Sequence, residues 1–322
     1  MAADAEMIAD RRRLRRKLTL WRVLAVLALM VAVGTVGLVA SGRAREIGQG
    51  KQIARISVSG MITGDSRMAD LFRRVGDSAA VSGVVISISS PGGTTTGSEE
   101  LYRGIRVLAG KKPTVAFVDG TAASGAYITA LAADRIVARE TSLVGSIGVL
   151  FQYPDVSKLL GTLGVGVEEV KSSPLKAEPS GFKPTSPEAR AALQAVVNDT
   201  YAWFKDLVKS RRGLTDQQLA AVSDGRVFSA RQAMPLKLVD ELGTERDAIA
   251  WLERERKVPA NLPVRDWKAT GPSRFSLWSA AAFGADAAGL AGLAEAIRTA
   301  ADPAGRVEMS GLLALWQPRL DP

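Results

Sequence analysis

The sequence predicts an α/β domain with mostly parallel strand pairing, preceded by one transmembrane helix. Three observations lead there. From about residue 53 onward, short β-branched runs alternate with helical patterns, the arrangement that parallel sheets require of their crossovers. The composition is that of a packed protein, 47% apolar and 23% charged. Ahead of the alternating region, Val23 to Ala40 forms 18 residues without a charge, near the lower limit for crossing a bilayer.

The apolar segment fixes the expected organisation. Residues 1–22 are basic, with Arg11, Arg12, Arg13, Arg15, Arg16 and Lys17 before the span and Trp21 and Arg22 at its edge. The positive-inside rule keeps that end in the cytoplasm and exports the chain beyond Ala40. An uncleaved anchor over 23–40 is favoured over a cleaved signal peptide, because the run exceeds a usual h-region and no clean A-x-A site comes after it. Residues 41–52 read as a polar linker, 53–266 as the folded domain and 267–322 as an Ala/Gly-rich tail. Residues 1–46 carry a net charge of +5 and the other 276 only +4. The excess thus flanks the apolar segment, which points to membrane lipid rather than nucleic acid.

Within the domain, residues 53–62 alternate as a strand, "LFRRVGDSAAV" reads as helical, and 83–90 is a buried strand stopping in a turn at "PGG". Residues 97–109 form a helix with Glu early and Arg late, 113–120 the next strand, "ASGAYITALAA" a helix and 135–139 another strand. Residues 187–212 are a long amphipathic helix, with Pro187 at the first position and Ser186 as cap. Residues 215–225 and 229–243 continue in helix–turn style, and 245–256 is another helix. The tail could pack on the body, lie on the membrane or join subunits.

The chain has no cysteine and no histidine. Disulfides, thiolate nucleophiles and every His-based triad are thereby excluded. A nucleophilic serine would need Lys, Asp/Glu or Tyr as its base, and Ser-Lys pairs satisfy that logic. Such a lysine must be desolvated, to bring it down from about 10.4 toward neutrality. Ser124 sits among Gly120, Ala122, Ala123, Gly125 and Ala126 at a helix start, where close approach, free N–H groups and the helix dipole suit a nucleophile. Alone, an "ASG" of this kind is more often an N-cap than a nucleophile. Gly92 and Gly93 can present a backbone N–H without a side chain in the way, or form an ordinary turn.

Taken together, "SISSPGGTTTGSEELYRGI", "VAFVDGTAASGAYITALAADRIVA", "TSLVGSIGVL" and "DGRVFSARQAMPLKLVDELG" resemble, in order and spacing, the signal peptide peptidase A (SppA) family of Ser-Lys peptidases. The resemblance covers roughly residues 53 to 245. It implies a ClpP/crotonase-like fold of repeated β-β-α units, with Ser124 as nucleophile. The family's lysine stretch corresponds to "VKSSPLKAEPSGF", where Lys176, 52 residues after Ser124, matches the general base. Lys171 is the runner-up and Lys183 a poorer third. The resemblance also implies an oxyanion hole from the N–H groups of Gly93 and Gly125, and a lysine-bonding role for Ser146.

Two departures stand out. Ala126, Tyr127 and Ile128 occupy a region where the family often has Gly-Tyr-Tyr. Glu178 lies two residues from Lys176, where an ionised partner would raise the lysine pKa, so Glu178 is expected to turn away or pair elsewhere.

The family implies residual signal peptides as substrates, a ring- or dome-shaped homo-oligomer, and no metal or nucleotide cofactor. It places the protein in a bacterial cytoplasmic membrane, single-pass, with the catalytic domain on the exported side. The competing readings are an inactive membrane-anchored scaffold of the same fold and an acyl-CoA enzyme of the crotonase type. The latter would not need Ser124 and would find little CoA outside the cytoplasm.

Overall fold

A computed structural model describes residues 50–269, the strand at 313–315 and the helical positions Lys17, Trp21, Leu24 and Leu27. The chain divides into two units, 1–50 and 51–322. Apart from Leu24 and Leu27, the expected anchor over 23–40 lies outside the described residues. Among those that are described, no helix is long and apolar enough to cross a membrane.

Strands and helices alternate through the first half of the second unit: β1 (Gln52–Ile62), α1 (Ser66–Asp77), β2 (Val81–Thr94), α2 (Thr95–Ala109), β3 (Thr114–Ala123), α3 (Gly125–Leu131) and β4 (Arg135–Ala138). The short β5 (Leu143–Gly145) comes next, then an extended segment with one short helix, α4 (Ser157–Thr162). The second half adds α5 (Pro187–Arg212), α6 (Asp216–Val222), β6 (Val227–Ser229), α7 (Ala230–Ala233), β7 (Glu241–Leu242), α8 (Glu245–Glu255) and β8 (Val264–Asp266). A last strand, β9 (Leu313–Leu315), comes from the tail.

All of these strands join one sheet, whose main path runs β6-β5-β3-β2-β1-β8. Pairing is parallel throughout β8-β1-β2-β3, β3-β4, β3-β5 and β4-β7, and antiparallel only for β5-β6 and β2-β9. The period of two along each strand separates two apolar layers. Ala54, Ile56, Ile86, Ile88, Ala116 and Val118 face the larger core, shared with Leu71, Phe72, Ile105 and Tyr127 from the helices. Ile53, Val85, Val115 and Phe117 face a smaller one closed by Ala248, Trp251 and Leu252 of α8.

One local expectation is overturned. "PGG" does not end the strand in a turn, since β2 runs on through Pro91, Gly92 and Gly93 to Thr94. The continuation is held by β1, whose Met61 and Ile62 pair with Gly92 and Gly93 after a register shift. The close approach explains the glycine: a β-carbon on Gly93 would lie 1.8 Å from the Ile62 carbonyl oxygen. Proline suits the stretch because the bulge leaves a position where its missing donor is tolerated.

The 187–212 helix matches its sequence signals closely. The Ser186 side chain accepts from the Ala189 N–H, Pro187 occupies the first turn and Gly213 closes the helix in the left-handed region at φ 61°.

Candidate active site

Register builds the site. β3 pairs with β2 as far as Ser90 opposite Ala122, then turns to pair Thr121–Ala123 with β5. Ser124 is the next residue, and α3 begins at Gly125. The serine therefore stands where one strand leaves its neighbour and a helix starts, at the carboxyl end of a parallel sheet, where open α/β folds place their ligands.

Ser124 is buried, at 1% exposure, and holds φ 55° and ψ −118°, a conformation costly for any residue with a β-carbon. Two sets of backbone bonds keep it there. Its N–H donates to the Gly145 carbonyl at 2.8 Å, and its own carbonyl accepts from Tyr127 and Ile128 at 2.9 and 3.1 Å. The side chain makes no capping bond to α3. Instead the hydroxyl points along the neighbouring loop, 3.5 Å from the Gly148 carbonyl. A serine that only capped its helix would accept from an N–H of the first turn.

The loop after β5 forms the facing wall. Ser146 is nearly buried and also has positive φ, at 51°. Its N–H donates to the Arg226 carbonyl at 2.9 Å, so the β5–β6 pairing fixes it next to the residue that holds Ser124. Gly92 and Gly93 lie two and three residues beyond Ser90 on β2, the strand neighbouring β3. The Gly92 N–H donates to Ser90 Oγ at 3.1 Å, and that hydroxyl donates to the Gly60 carbonyl at 2.6 Å. The structure thus brings Ser124, Gly125, Gly93 and Ser146 to one end of the sheet.

No hydrogen bond among the described residues joins Lys176 to them. Lys176 lies in a surface turn where its N–H donates to the Ser173 carbonyl at 3.1 Å, and its side chain is exposed. Among the described residues its amine has no ion pair or hydrogen bond. Glu178 pairs elsewhere, as expected: Lys171 Nζ lies 2.5 Å from it and 2.9 Å from Glu169. Those two carboxylates, Glu178 foremost, raise the Lys171 pKa above its ordinary value. Lys171 is therefore protonated at neutral pH and a poor base. Lys183 is half-exposed and bonded to Glu169.

Tyr127, the other titratable group close to Ser124 in sequence, is fully buried and donates to the Leu238 carbonyl at 2.8 Å. Burial pushes its pKa far above the ordinary phenol range, so it too is no base.

A feature invisible in the sequence secures the other end of α3. Arg211 of α5 donates to the carbonyls of Leu131 and Ala133, both at 2.8 Å, and Arg106 of α2 donates to the Ala132 carbonyl at 2.9 Å. Cations on the last carbonyls complement the helix dipole. The helix that starts at Ser124 is thus tied at both ends.

The described site is thus a strained serine at a strand-to-helix turn beside a glycine strand, in a chain without histidine. Comparison with known proteins gives the family. Residues 106–259 match peptidase family S49. The chain is 36% identical over 202 residues to a Synechocystis protein named as a candidate protease, covering 62% of this chain and 73% of that one. It is 40% identical over 175 residues to a similarly named protein of Methanocaldococcus jannaschii, covering 54% and 56% of the two chains. Against a candidate signal peptide peptidase SppA of Enterococcus faecium it is 31% identical over 224 residues, covering 65% and 64%. The chain belongs to peptidase family S49, the family of the SppA proteins. It spans between about half and three quarters of the length of these relatives.

Proposed function

We propose that the protein is a membrane-anchored serine endopeptidase of ClpP/crotonase-like fold, working through Ser124 and Lys176 on residual signal peptides or other apolar peptides. The observation that carries the reading is the conformation of Ser124: buried, strained and not used as a cap. Strain of this kind persists only where surrounding structure enforces it, and it gathers at reacting groups.

In this mechanism neutral Lys176 takes the Ser124 hydroxyl proton while the oxygen forms a bond to the peptide carbonyl carbon. The N–H groups of Gly93 and Gly125 hold the resulting oxyanion. Collapse breaks the carbon–nitrogen bond, and the lysine ammonium gives its proton to the departing amine. Lysine then takes a proton from water, the hydroxide oxygen attacks the acyl ester, and Ser124 is released with a new carboxylic acid. Ser146 orients the amine.

Lysine does this chemistry only when desolvated. A single chain leaves Lys176 in water, so the mechanism requires a homo-oligomer that covers the 150–182 segment. The segment suits that role, since Leu150, Phe151, Leu159, Leu163, Val165, Val170, Leu175 and Phe182 are all exposed. Anchoring through 23–40 would hold the domain on the exported face of the cytoplasmic membrane, near peptides left in the bilayer. A second reading, a scaffold that kept the fold without the activity, draws on the same exposure of Lys176.

The test is fluorophosphonate labelling of the detergent-solubilised full chain from neutral to alkaline pH, beside Ser124→Ala and Lys176→Ala. The dyad predicts labelling that is lost in both variants and has an apparent pKa well below the ordinary ~10.4 of lysine. Labelling that persists in Lys176→Ala moves the base to another group. A folded parent that never labels supports the scaffold.

A further inference from the structure

Ser90 stands where three strands are tied together. Its backbone belongs to the last pair that β2 shares with β3, opposite Ala122 and two residues before Ser124. The residue is only 1% exposed. Its hydroxyl donates to the Gly60 carbonyl of β1 at 2.6 Å and accepts from the Gly92 N–H at 3.1 Å. The pairing of β1 with β2 steps here from Ser59–Ser89 to Met61–Gly92, so Ser90 and Pro91 stand against Gly60 alone. Such a bulge bends its strand and re-aims what comes after it.

Gly60 and Gly92 flank the bulge with φ of 70° and 105°, values that a residue with a β-carbon rarely takes. Backbone of this kind turns freely unless a bond fixes it. The Ser90 hydroxyl fixes both glycines at once, because one group on a one-carbon stem supplies a donor to the first and an acceptor to the second. Downstream, the Thr94 hydroxyl reaches the Ile62 carbonyl only at 3.4 Å, a weaker bond. The direction in which the chain enters Gly93 is therefore set chiefly by Ser90.

The Gly93 N–H is the group aimed at the oxyanion in the peptidase reading above, and the next step rests on that reading. We propose that Ser90 is a positioning residue for the oxyanion hole. Its hydroxyl gauges the glycine strand against the strand that carries the nucleophile, and so holds the Gly93 N–H where the tetrahedral oxygen forms. Such a donor is effective only when it is in place before the charge arrives. The oxyanion forms after peptide has bound, so losing the hydroxyl lowers kcat and spares KM.

The experiment uses the full chain in detergent and compares the parent with Ser90→Ala. Ser90→Cys keeps nearly the same volume with a weaker donor and acceptor, and reads the same quantities where the alanine variant does not fold. Thr114→Val is the control: it removes a buried hydroxyl, bonded to the Lys112 carbonyl at 2.9 Å, at the far end of β3. Three readouts are taken: hydrolysis of a quenched-fluorescent apolar peptide, amide exchange at Gly92, and the shift of the Gly93 amide proton when a fluorophosphonate modifies Ser124. The proposal expects Ser90→Ala to lose about ten- to hundredfold in kcat at unchanged KM, the scale of a donor displaced by about 1 Å. It also expects faster exchange at Gly92 and a smaller Gly93 shift, with Ser90→Cys between parent and Ser90→Ala and Thr114→Val like the parent. An active parent whose kcat survives Ser90→Ala, or a kcat that falls equally in Thr114→Val, overturns the proposal and leaves the peptidase reading intact. A parent that neither labels nor hydrolyses defeats the peptidase reading, and exchange at Gly92 then decides the positioning alone: faster in Ser90→Ala supports it, unchanged overturns it.

Discussion

Ser124 holds φ 55° and ψ −118°, a region where a β-carbon meets its own backbone at a cost of about 1–3 kcal/mol. The surrounding bonds to Gly145, Tyr127 and Ile128 are made by the backbone and survive any substitution of the side chain. Removing the β-carbon should therefore stabilise, and removing only the hydroxyl should not. Ser124→Gly is expected to be more stable than Ser124→Ala by about 1 kcal/mol, close to the usual cost of a left-handed conformation with a β-carbon. That corresponds to a Tm higher by about 2–4 °C for a domain of this size. Both variants should be blind to fluorophosphonate. Calorimetry decides the matter: a Ser124→Gly protein that melts no higher than Ser124→Ala would mean that the elbow stores no strain. The place of the serine at the start of a helix was legible in "ASG" and its neighbours. Its strain and its missing cap were not, because both depend on β5, a three-residue strand whose only signature is its partner.

At the scale of elements, the tie between α5 and α3 is the least expected feature. Arg211 is 80 residues from Leu131 in sequence, yet it reaches two of the carbonyls that close α3. Its pKa is lowered, first by burial and then by the nearby Arg106, so the guanidinium bears a desolvation cost that its bonds offset. Arg211→Met removes two charge-assisted bonds and leaves the carbonyls unmatched, a loss of about 2 kcal/mol. Arg190, exposed near the other end of the same helix, provides the control, and Arg190→Met should stay within about 0.5 kcal/mol. Urea denaturation would show a lower midpoint at unchanged slope for the first and no shift for the second; equal midpoints would remove the tie from the account.

Elements with their own pattern were legible. β1, β2 and β3 could be read from β-branched runs, and α5 from Ser186 and Pro187. The strands β5 to β9, two or three residues each, could not, because they exist only as partners. "PGG" misled for a related reason: the residues signal a turn, and the register shift of β1 that carries the strand through them is a property of the pair. Long-range ties such as Arg211 have no local signal at all.

The whole molecule poses a question of how its outermost segment is held. The domain core is deep, but the stretch from Leu150 to Phe182 contributes almost nothing to it: α4 buries no residue, and eight of the segment's large apolar side chains face water. What orders its middle is charge. Lys171 bridges Glu169 and Glu178, and Lys183 also meets Glu169. Hydrogen bonding, to Lys171 first, lowers the Glu169 pKa, while Lys171 is raised. For the depressed carboxylate, the stabilisation is complete above the ordinary Glu range and is lost as pH falls through the lowered value. For the raised lysine, it is complete below the ordinary lysine value and is lost as pH climbs past the raised one. The segment should therefore be closed across the whole neutral range and open at the acid end well before the core unfolds. Dilute protein treated with an acid-active protease is expected to be cut within 150–186 while 50–140 stays intact, and neutral pH should slow that cut. Assembly adds a second dependence. If homo-oligomers bury the exposed apolar side chains and Lys176, protection at neutral pH must rise with protein concentration, because the covering surface is supplied by another copy. Cleavage that responds to pH but not to concentration would leave the ion pairs in place and remove the oligomer, and with it the covering of Lys176 that the proposed mechanism needs.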